Sequence, residues 1–221
     1  MTYIEHFTFN AFQVRCSIIW DNNKRCAIID PGYLEDAERN QIVAFIETKK
    51  LTPVCILLTH AHFDHIYGLK DLMCTYGIPA YMDLKETYSM EHTNPYVCKN
   101  YGLPLLELPG SFNGVKEGDV IEVGDLRLEV IETPGHSVGG VCYLERNEKV
   151  LFSGDTLFAG SIGRTDHPGG DYDQLMKGIF EKLMILDGDV KVFPGHGPET
   201  DIATERMTNP FLMPFNEPYE D

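Results

Sequence analysis

Positive charge is scarce in this chain: Lys and Arg together number 18 against 34 Asp and Glu, so the formal net charge is −16. A surface this acidic repels phosphate backbones and anionic lipids, so we expect neither a nucleic-acid substrate nor a membrane partner. Apolar runs long enough to span a bilayer are lacking, and the first residues do not have the pattern of a signal peptide. The sequence therefore predicts a cytoplasmic protein, and it leaves the oligomeric state open.

Two common catalytic patterns are missing as well. The chain has no Gly-x-Ser-x-Gly motif, so the usual serine-nucleophile elbow is not expected. Its six cysteines show no Cys-x-x-Cys or other metal-ligand spacing. Several of them lie in apolar runs, where a free cysteine behaves as a small hydrophobic residue. This cysteine usage fits a reducing compartment.

The sequence does contain a dense cluster of imidazole and carboxylate groups. His60, His62, Asp64 and His65 directly follow the apolar run of residues 54–58. The run predicts a buried strand, with the histidines in the loop at its carboxyl end, where α/β proteins build their sites. Imidazole and carboxylate together suit zinc, iron or manganese. The segment therefore predicts a metal site.

Three further strand-like segments end on a potential metal ligand, namely His136, Asp155 and His196. Both histidines follow a Pro-Gly pair, in which proline fixes one dihedral angle and glycine permits an unusual one. Such a turn can redirect the imidazole away from the strand axis. Five of the eight histidines belong to these strand-end positions, which is not expected of histidines scattered over a surface.

Hydrophobic periodicity predicts strands and helices over much of the remaining chain. The predicted strands and hairpins cover residues 7–20, 25–29, 54–58, 120–128 and 141–152. The predicted helices cover residues 35–49, 67–76 and 173–186. Strands come first and return later, with helices outside both sets. This order favours two packed mixed sheets with helices on both outer faces.

The ligand pattern resembles that of the metallo-β-lactamase superfamily, and within it the glyoxalase II-like (hydroxyacylglutathione hydrolase-like) hydrolases. The residues that carry this resemblance are His60, His62, Asp64, His65, His136, Asp155 and His196. The similarity extends from about residue 30 to residue 196, and it implies an α/β (α+β) fold. That fold is a four-layer αβ/βα sandwich of two mixed β-sheets flanked by helices. We expect it to form a single domain over residues 1–221.

The resemblance also implies two divalent metal ions, zinc first, with iron or manganese as alternatives. The first ion would be held by His60, His62 and His136. The second would be held by Asp64, His65 and His196. Asp155 would bridge the two ions together with a hydroxide, and Asp64 and Asp155 would be the catalytic side chains acting with that hydroxide. Two ions about 3.5–4 Å apart can deprotonate a shared water and polarise the electrophile.

The implied reaction is hydrolysis of a small-molecule thioester such as S-lactoylglutathione. A thiolate leaves readily, because thiol pKa values lie around 8.5, so no strong general acid is required. Arg164 stands where related enzymes bring a cation to the glycine carboxylate of glutathione, and the arginine fork suits a carboxylate. A local ion pair with Asp166 is an equal alternative for Arg164.

The sequence departs from the longer glyoxalase II enzymes after the last histidine. Gly197 follows His196 where those enzymes often have a tyrosine, and the separate C-terminal helical domain is not expected, so the chain resembles the compact relatives. Another small thiol could therefore replace glutathione as the carrier.

Three other functions remain open. The main alternative is a persulfide dioxygenase with one iron held by His60, His136 and Asp155. A zinc β-lactamase is less favoured, because that class commonly has cysteine where Asp155 stands. The least favoured function is a non-catalytic metal-binding module with closed coordination.

Several neighbouring residues are assigned by position alone. Thr59, Asp30 and Ser153 are candidates to orient the imidazoles through their second ring nitrogen. Tyrosines between residues 81 and 108 either line a substrate groove or, more commonly, pack a helical connection onto the sheet. The remaining histidines are expected to be exposed loop residues: His6, His92 and His167. Of these, His167 lies close to Arg164 in the sequence and could reach the pocket rim.

Overall fold

The computed structural model describes residues 2–213. The predicted domain of residues 1–221 extends past them at both ends, since residue 1 and residues 214–221 lie outside the described part. Within residues 2–213, none of the helices combines the length and the apolar character that a bilayer crossing needs.

The first sheet contains six strands. Their bounds are β1 Tyr3–Phe9, β2 Val14–Trp20, β3 Arg25–Ile29, β4 Thr52–Leu57, β5 Ala80–Met82 and β6 Asn113–Gly114. They lie side by side in chain order, antiparallel from β1 to β3 and parallel from β3 to β6. The prediction of one strand over residues 7–20 is wrong. The chain turns between β1 and β2, where Asn10 and Gln13 adopt φ angles of 55° and 56°.

The second sheet also contains six strands and is separated from the first in sequence. Its strands are β7 Val120–Val123, β8 Leu126–Glu132, β9 Val141–Glu145, β10 Val150–Gly154, β13 Lys191–Pro194 and β14 Thr200–Asp201. Between β10 and β13, the strands β11 Leu157–Phe158 and β12 Ser161–Ile162 form a separate small hairpin. The order in the sheet is β14-β13-β10-β9-β8-β7, with β10 and β13 parallel and the other pairs antiparallel. Both predicted hairpins are confirmed.

The helices lie on the outer faces of the sheets. Their bounds are α1 Asp36–Lys49, α2 Phe63–Ile66, α3 Leu69–Tyr76, α4 Asn94–Tyr101, α5 Tyr172–Gly178 and α6 Ile202–Thr208. A 3-10 turn covers Leu84–Glu86, and π-helical turns cover Ser89–Thr93 and Ile179–Leu183. The prediction for α1 is confirmed, and its Ile42 and Ile46 are buried. The predicted helix of residues 173–186 is α-helical only to residue 178 and continues as a π-helical turn.

The segment after β4 differs from the prediction. Helix α2 begins at Phe63, so Asp64 and His65 are helical, and the prediction that the whole cluster lies in a loop is wrong. The predicted helix of residues 67–76 begins only at Leu69. At this point the Gly68 N–H donates to the Pro31 carbonyl at 2.8 Å, outside the helix, and the ring of Tyr33 packs so closely that an added Cβ at Gly68 would lie 2.1 Å from its Cε1 atom. Helices α2 and α3 are therefore separate elements.

Alternation along the strands produces the four layers. Ile18, Ile28 and Ile56 face the helices of the first sheet, whereas their neighbours Ile19 and Ile29 face the second sheet. Successive side chains of a strand point to opposite faces, so a central strand buried on both faces appears as a continuous apolar run. A third cluster lies beneath α5 and α6. The predicted sandwich of two mixed sheets between outer helices is confirmed.

Candidate metal centre

The seven predicted ligand residues converge at one edge of the two sheets. Residues 60–65 follow β4, and the other three follow β8, β10 and β13, so chain segments far apart in sequence meet at strand ends. Their nitrogen and oxygen atoms form overlapping triads, each with all ligand atoms within 4.8 Å of one another. We call one triad the first half-site: His60, His62 and His136. We call another the second half-site: Asp64, His65 and His196.

The first half-site is a pocket of three imidazoles. His62 Nδ1 lies 2.9 Å from His136 Nε2. His60 Nε2 is buried and has no hydrogen-bond partner among residues 2–213. A buried polar atom without a partner is costly, so these nitrogens fit a bound cation better than an empty protein interior. The unpartnered buried nitrogen therefore supports a cation site independently of the family resemblance.

The second half-site combines imidazole with carboxylate. His65 Nε2 lies 3.3 Å from His196 Nε2, and His196 Nε2 lies 3.3 Å from Asp64 Oδ2. Nitrogen and carboxylate oxygen at these separations are a donor set that zinc, iron or manganese accepts. This half-site is more open than the first, since 25 % of the His196 side chain is exposed.

Asp155 lies between the two half-sites. Its Oδ1 atom is 3.4 Å from His65 Nε2, and its Oδ2 atom is 3.5 Å from His136 Nε2 and 3.6 Å from His196 Nε2. One carboxylate thus faces imidazoles of both half-sites. Gly195 permits this approach, because a Cβ there would lie 2.3 Å from Asp155 Oδ1.

The two Pro-Gly-His turns work by different means. Gly135 adopts a φ of 132°, which confirms the unusual dihedral angle predicted before His136. Gly195 is not among the glycines with positive φ in residues 2–213, so the same prediction is wrong for the turn before His196. Glycine is required there by the close approach of the Asp155 carboxylate.

A hydrogen-bond chain fixes two of the imidazoles. Thr59 Oγ1 donates to Asp30 Oδ2 at 2.6 Å, so it is left to accept from His60 Nδ1 at 3.1 Å. His65 Nδ1 lies 3.1 Å from the same Asp30 oxygen. Both imidazoles therefore direct Nδ1 at this chain of hydrogen bonds and Nε2 at the cluster. The predictions for Thr59 and Asp30 are confirmed. That for Ser153 is wrong, because its hydroxyl donates to the Leu157 carbonyl at 2.8 Å.

Backbone carbonyls fix two further imidazoles. His136 Nδ1 donates to the Arg164 carbonyl at 2.8 Å, and His196 Nδ1 donates to the Phe12 carbonyl at 2.9 Å. Every residue has a carbonyl, so no side-chain pattern could have indicated these two. In each case Nε2 is again directed into the cluster.

Burial makes the first half-site neutral. It lowers the pKa of His60 and His62 well below the ordinary value, and it also lowers the pKa of His136. These imidazoles are therefore uncharged near neutral pH, and the uncharged imidazole is the form that binds a cation.

Carboxylates have the opposite effect on the second half-site. Burial tends to lower the pKa of His65, but Asp155 and Asp64 outweigh it and raise that pKa well above its usual value. Burial also tends to lower the pKa of His196, but Asp64 and Asp155 outweigh it and raise that pKa above its usual value. Asp155 itself has a pKa well below its usual range, because the imidazoles, His65 first, outweigh its burial.

Known proteins are similar to this chain in sequence. A sequence profile of the metallo-beta-lactamase superfamily matches residues 9–196. The chain belongs to this superfamily. Hydroxyacylglutathione hydrolase GloC of Haemophilus influenzae is 37 % identical over 212 residues, which are 95 % of this chain and 97 % of that protein. The probable metallo-hydrolase YqgX of Bacillus subtilis is 38 % identical over 206 residues, 88 % of this chain and 90 % of that protein.

Two crystal structures share the fold. That of the BLEG-1 B3 metallo-beta-lactamase has a TM-score of 0.88 at 36 % identity, covering 96 % of this chain and all (100 %) of that one. That of TTHA1623 in a di-iron-bound form has a TM-score of 0.84 at 32 % identity, with 94 % and 100 % covered. The glyoxalase II-like resemblance is confirmed: the chain is a hydrolase of the metallo-beta-lactamase superfamily, and this fold together with the His and Asp cluster implies a divalent metal.

Within this superfamily member, a cleft of about 550 Å³ opens onto the metal centre. Phe12, Phe63 and Tyr101 form an aromatic wall, with Phe12 edge-on to the other two at 4.9 and 5.6 Å. The groove hypothesis is correct for Tyr96 and Tyr101, which line the cleft. It is wrong for the other two tyrosines: one packs against the cluster between the sheets and one stacks on a histidine, namely Tyr81 and Tyr88.

The histidines outside the metal centre differ from expectation in two cases. The ring of His167 lies 4.8 Å from that of His62 and 4.9 Å from that of His136, so it is part of the cleft and not a solvent-exposed loop residue. His6 is in β1, where it hydrogen-bonds Ser17 and is half-buried. The third is exposed as expected, although it is helical: His92.

The Arg164 side chain lines the cleft and is already paired. Its guanidinium donates two hydrogen bonds to Asp166, Nε to Oδ1 at 2.7 Å and a terminal nitrogen to Oδ2 at 3.0 Å. Both side chains are largely exposed, 65 % and 71 %, so the pair is easily opened by solvent or by a competing anion. The local ion pair is thus present, and the position at the cleft leaves Arg164 able to meet a ligand.

Proposed function

We propose that this enzyme hydrolyses a small thioester, such as S-lactoylglutathione, at a centre of two divalent cations. One observation carries the proposal: the two oxygens of Asp155 face imidazole nitrogens of both half-sites at 3.4 to 3.6 Å. A carboxylate placed in this way suits a bridge between two cations. The first half-site would hold one cation and the second half-site the other.

The donor set supports zinc as the resident ion. Imidazole nitrogen and carboxylate oxygen are ordinary zinc ligands, and no thiolate takes part. Iron is the first alternative, because TTHA1623, at 32 % identity, was crystallised in a di-iron form, and manganese is the second. When bound, such a pair of ions lowers the pKa of a shared water and polarises the substrate carbonyl.

The protein groups would then position the reactants. Asp64 and Asp155 line the cleft beside the imidazoles, so their carboxylates would orient the attacking water. Attack of the water oxygen at the carbonyl carbon would form the new C–O bond and break the C–S bond; the leaving thiolate takes the electron pair of that bond, and the protons of the water pass to the solvent. Because a thiolate is stable near neutral pH, no side chain has to protonate it in that step.

Glutathione is the proposed carrier of the acyl group, since the relative named hydroxyacylglutathione hydrolase is 37 % identical over nearly the whole chain. Arg164 would bind the carrier carboxylate by exchanging its Asp166 partner for the ligand. All six cysteines are unpaired, which supports the reducing cytoplasm as the compartment in which the enzyme acts.

The proposal is tested with protein purified without added metal, then analysed for metal content and assayed with S-lactoylglutathione by the loss of thioester absorbance. We expect close to two metal ions per chain and turnover that a chelator abolishes and zinc restores. An Asp155→Asn variant assayed in parallel controls for contaminating hydrolase. Full metal content without turnover above that variant would rule out this substrate.

A second candidate is hydrolysis of β-lactams. The crystal structure with a TM-score of 0.88 and 36 % identity is that of a B3 metallo-beta-lactamase, and its likeness covers 96 % of this chain. A chromogenic cephalosporin added to the same metal-loaded protein decides between the two. A kcat/KM for the cephalosporin above that for the thioester would favour this candidate.

The persulfide dioxygenase needs only one iron, held by three of the seven residues. The convergence of the other four in the same cluster supports the two-ion hydrolase instead. One iron per chain and oxygen uptake with glutathione persulfide would reverse this preference.

A further inference from the structure

Glu86 is a buried carboxylate outside the seven predicted ligands. Its exposed fraction is 0 %, and it lies at the end of the 3-10 turn that follows β5. Its Oε2 atom accepts a hydrogen bond from the backbone N–H of Ala61 at 2.7 Å. Its Oε1 atom accepts one from the backbone N–H of Gly139, also at 2.7 Å. Each oxygen therefore holds a different segment of the chain.

The two segments held by Glu86 supply the whole first half-site. Ala61 lies between His60 and His62, and Gly139 follows His136 by three residues. A shift of either loop would change the 2.9 Å separation between His62 Nδ1 and His136 Nε2. The second half-site has no ligand on the Gly139 loop, so other contacts set the distances between its ligand atoms.

Further contacts hold the same two loops near the turn that carries Glu86. The Ala61 carbonyl accepts from Asn94 Nδ2 at 2.8 Å, so Ala61 is bonded through both its N–H and its carbonyl. At Gly139, a Cβ would lie 3.1 Å from the backbone nitrogen of Glu86 and 3.1 Å from Asp83 Cβ. The loop therefore packs directly on the 3-10 turn, and Asp83 caps that turn by accepting from the Lys85 backbone N–H at 2.8 Å.

We propose that Glu86 is a positioning residue that sets the spacing of the imidazoles in the first half-site and so its affinity for a cation. This inference rests on the proposed function in one respect, the binding of a cation by that half-site. Glu86 is not among the residues that line the cleft. It acts through the backbone of Ala61 and Gly139, and only the first half-site has ligands on both of these segments.

A Glu86→Gln variant tests this at nearly constant size. An amide offers one acceptor oxygen, so its NH₂ group must face one of the two backbone N–H donors, and one loop is released. The matched control is Glu205→Gln. Glu205 is also buried and accepts from the Gly160 backbone N–H at 2.9 Å and from Thr200 Oγ1 at 2.6 Å, but it contacts none of the predicted ligands.

The measurements are zinc affinity, by competition with a chromogenic chelator, and the visible spectrum of the cobalt-substituted protein. In Glu86→Gln we expect one of the two zinc sites to weaken by about 10- to 100-fold, as for other groups that orient metal ligands, with an altered cobalt spectrum. The other site keeps its affinity to within about threefold. Glu205→Gln is expected to lower the melting temperature without separating the two sites.

Unchanged zinc affinity in Glu86→Gln would overturn the proposal, and so would an equal loss at both sites or in both variants. A wild-type protein that binds no zinc would instead refute the proposed function. If Glu86→Gln does not fold, Glu86→Asp takes its place, because the shorter side chain reaches only one of the two loops. Wild-type affinity and spectrum in that variant would then overturn the proposal.

Discussion

The two half-sites have similar ligand atoms and opposite protonation. The first consists of three imidazoles whose pKa is lowered by burial, and the second of two imidazoles whose pKa is raised beside a third ligand that is a carboxylate. A cation can bind the first half-site without displacing a proton. The same cation must expel protons from the second.

Because of this difference in protonation, an equal division of the ligands does not produce two equivalent sites. The first half-site is enclosed by Glu86 and the Arg164 carbonyl, whereas the second reaches the surface through His196. We therefore expect the first cation to bind more tightly and the second to exchange. Substitutions at the ligands and at the cleft edge, and a change of pH, can test this expected difference.

The largest effect is expected at the residue that both half-sites share. Asp155→Asn removes the negative charge that faces both sets of imidazoles, so both cations should bind more weakly. We expect kcat/KM for the thioester to fall by about 1,000-fold, or about 4 kcal/mol of transition-state stabilisation. Metal content and kinetics on the same sample measure it. Retention of two zinc ions at wild-type affinity would show that Asp155 is not the bridge.

The next test removes one half-site at a time. His136→Ala should leave only the more weakly bound zinc of the second half-site, whereas His196→Ala should leave the tightly bound zinc of the first. Without metal, their stabilities should differ. Each imidazole is bonded to a backbone carbonyl, but His136 is buried and His196 is 25 % exposed, so loss of His136 should cost about 2 kcal/mol of unfolding free energy, against less than about 1 kcal/mol for His196. Urea unfolding in chelator gives both values. Equal costs would contradict the difference in burial.

Acidification should separate the half-sites without mutation. Protons compete with the cation at His65 and His196, whose pKa values are raised, so affinity there falls as pH falls through those values. The first half-site, with lowered pKa values, keeps its affinity over the same range. From about pH 8 to about pH 6 the weaker zinc should lose about 10- to 100-fold in affinity. Calorimetry in buffers of different ionisation heat counts the protons released, and equal release at both sites would contradict the assignment.

The smallest effect concerns the cleft edge next to the first half-site. Asp166→Asn frees the Arg164 guanidinium, so the anionic glutathione thioester should gain about two- to fivefold in kcat/KM. A thioester of the neutral thiol N-acetylcysteamine should not gain. Equal gains for both carriers would show that Asp166 does not act through the charge of Arg164.

Much of this centre could be predicted because its ligands occupy strand ends. The carboxyl ends of the parallel neighbours β10 and β13 lie side by side, so Asp155 and His196 had to be close once that pair formed. His60 follows β4 of the other sheet, and the packing of the two sheets brings it to the same edge. Alternation also determines the layers, since Ile18 and Ile19 must face opposite sides of the sheet.

Contacts that link distant segments could not be predicted. Glu86 meets Ala61 and Gly139 only because β5 places its turn beside both loops, and nothing in the local sequence distinguishes it from an exposed glutamate. His167 returns to the cleft for a similar reason. Ser153 was a wrong candidate because its position at a strand end could not tell which way its hydroxyl points.

The sequence by itself determined the ligand chemistry, the strand ends on which the ligands stand and the membership of the superfamily, because these depend on residue type and local period. The tertiary structure alone decided which nitrogen of each imidazole faces the centre and which half-site holds protons. The reason is that desolvation and the fields of neighbouring charges act through space, between groups such as His65 and Asp155 that are far apart along the chain.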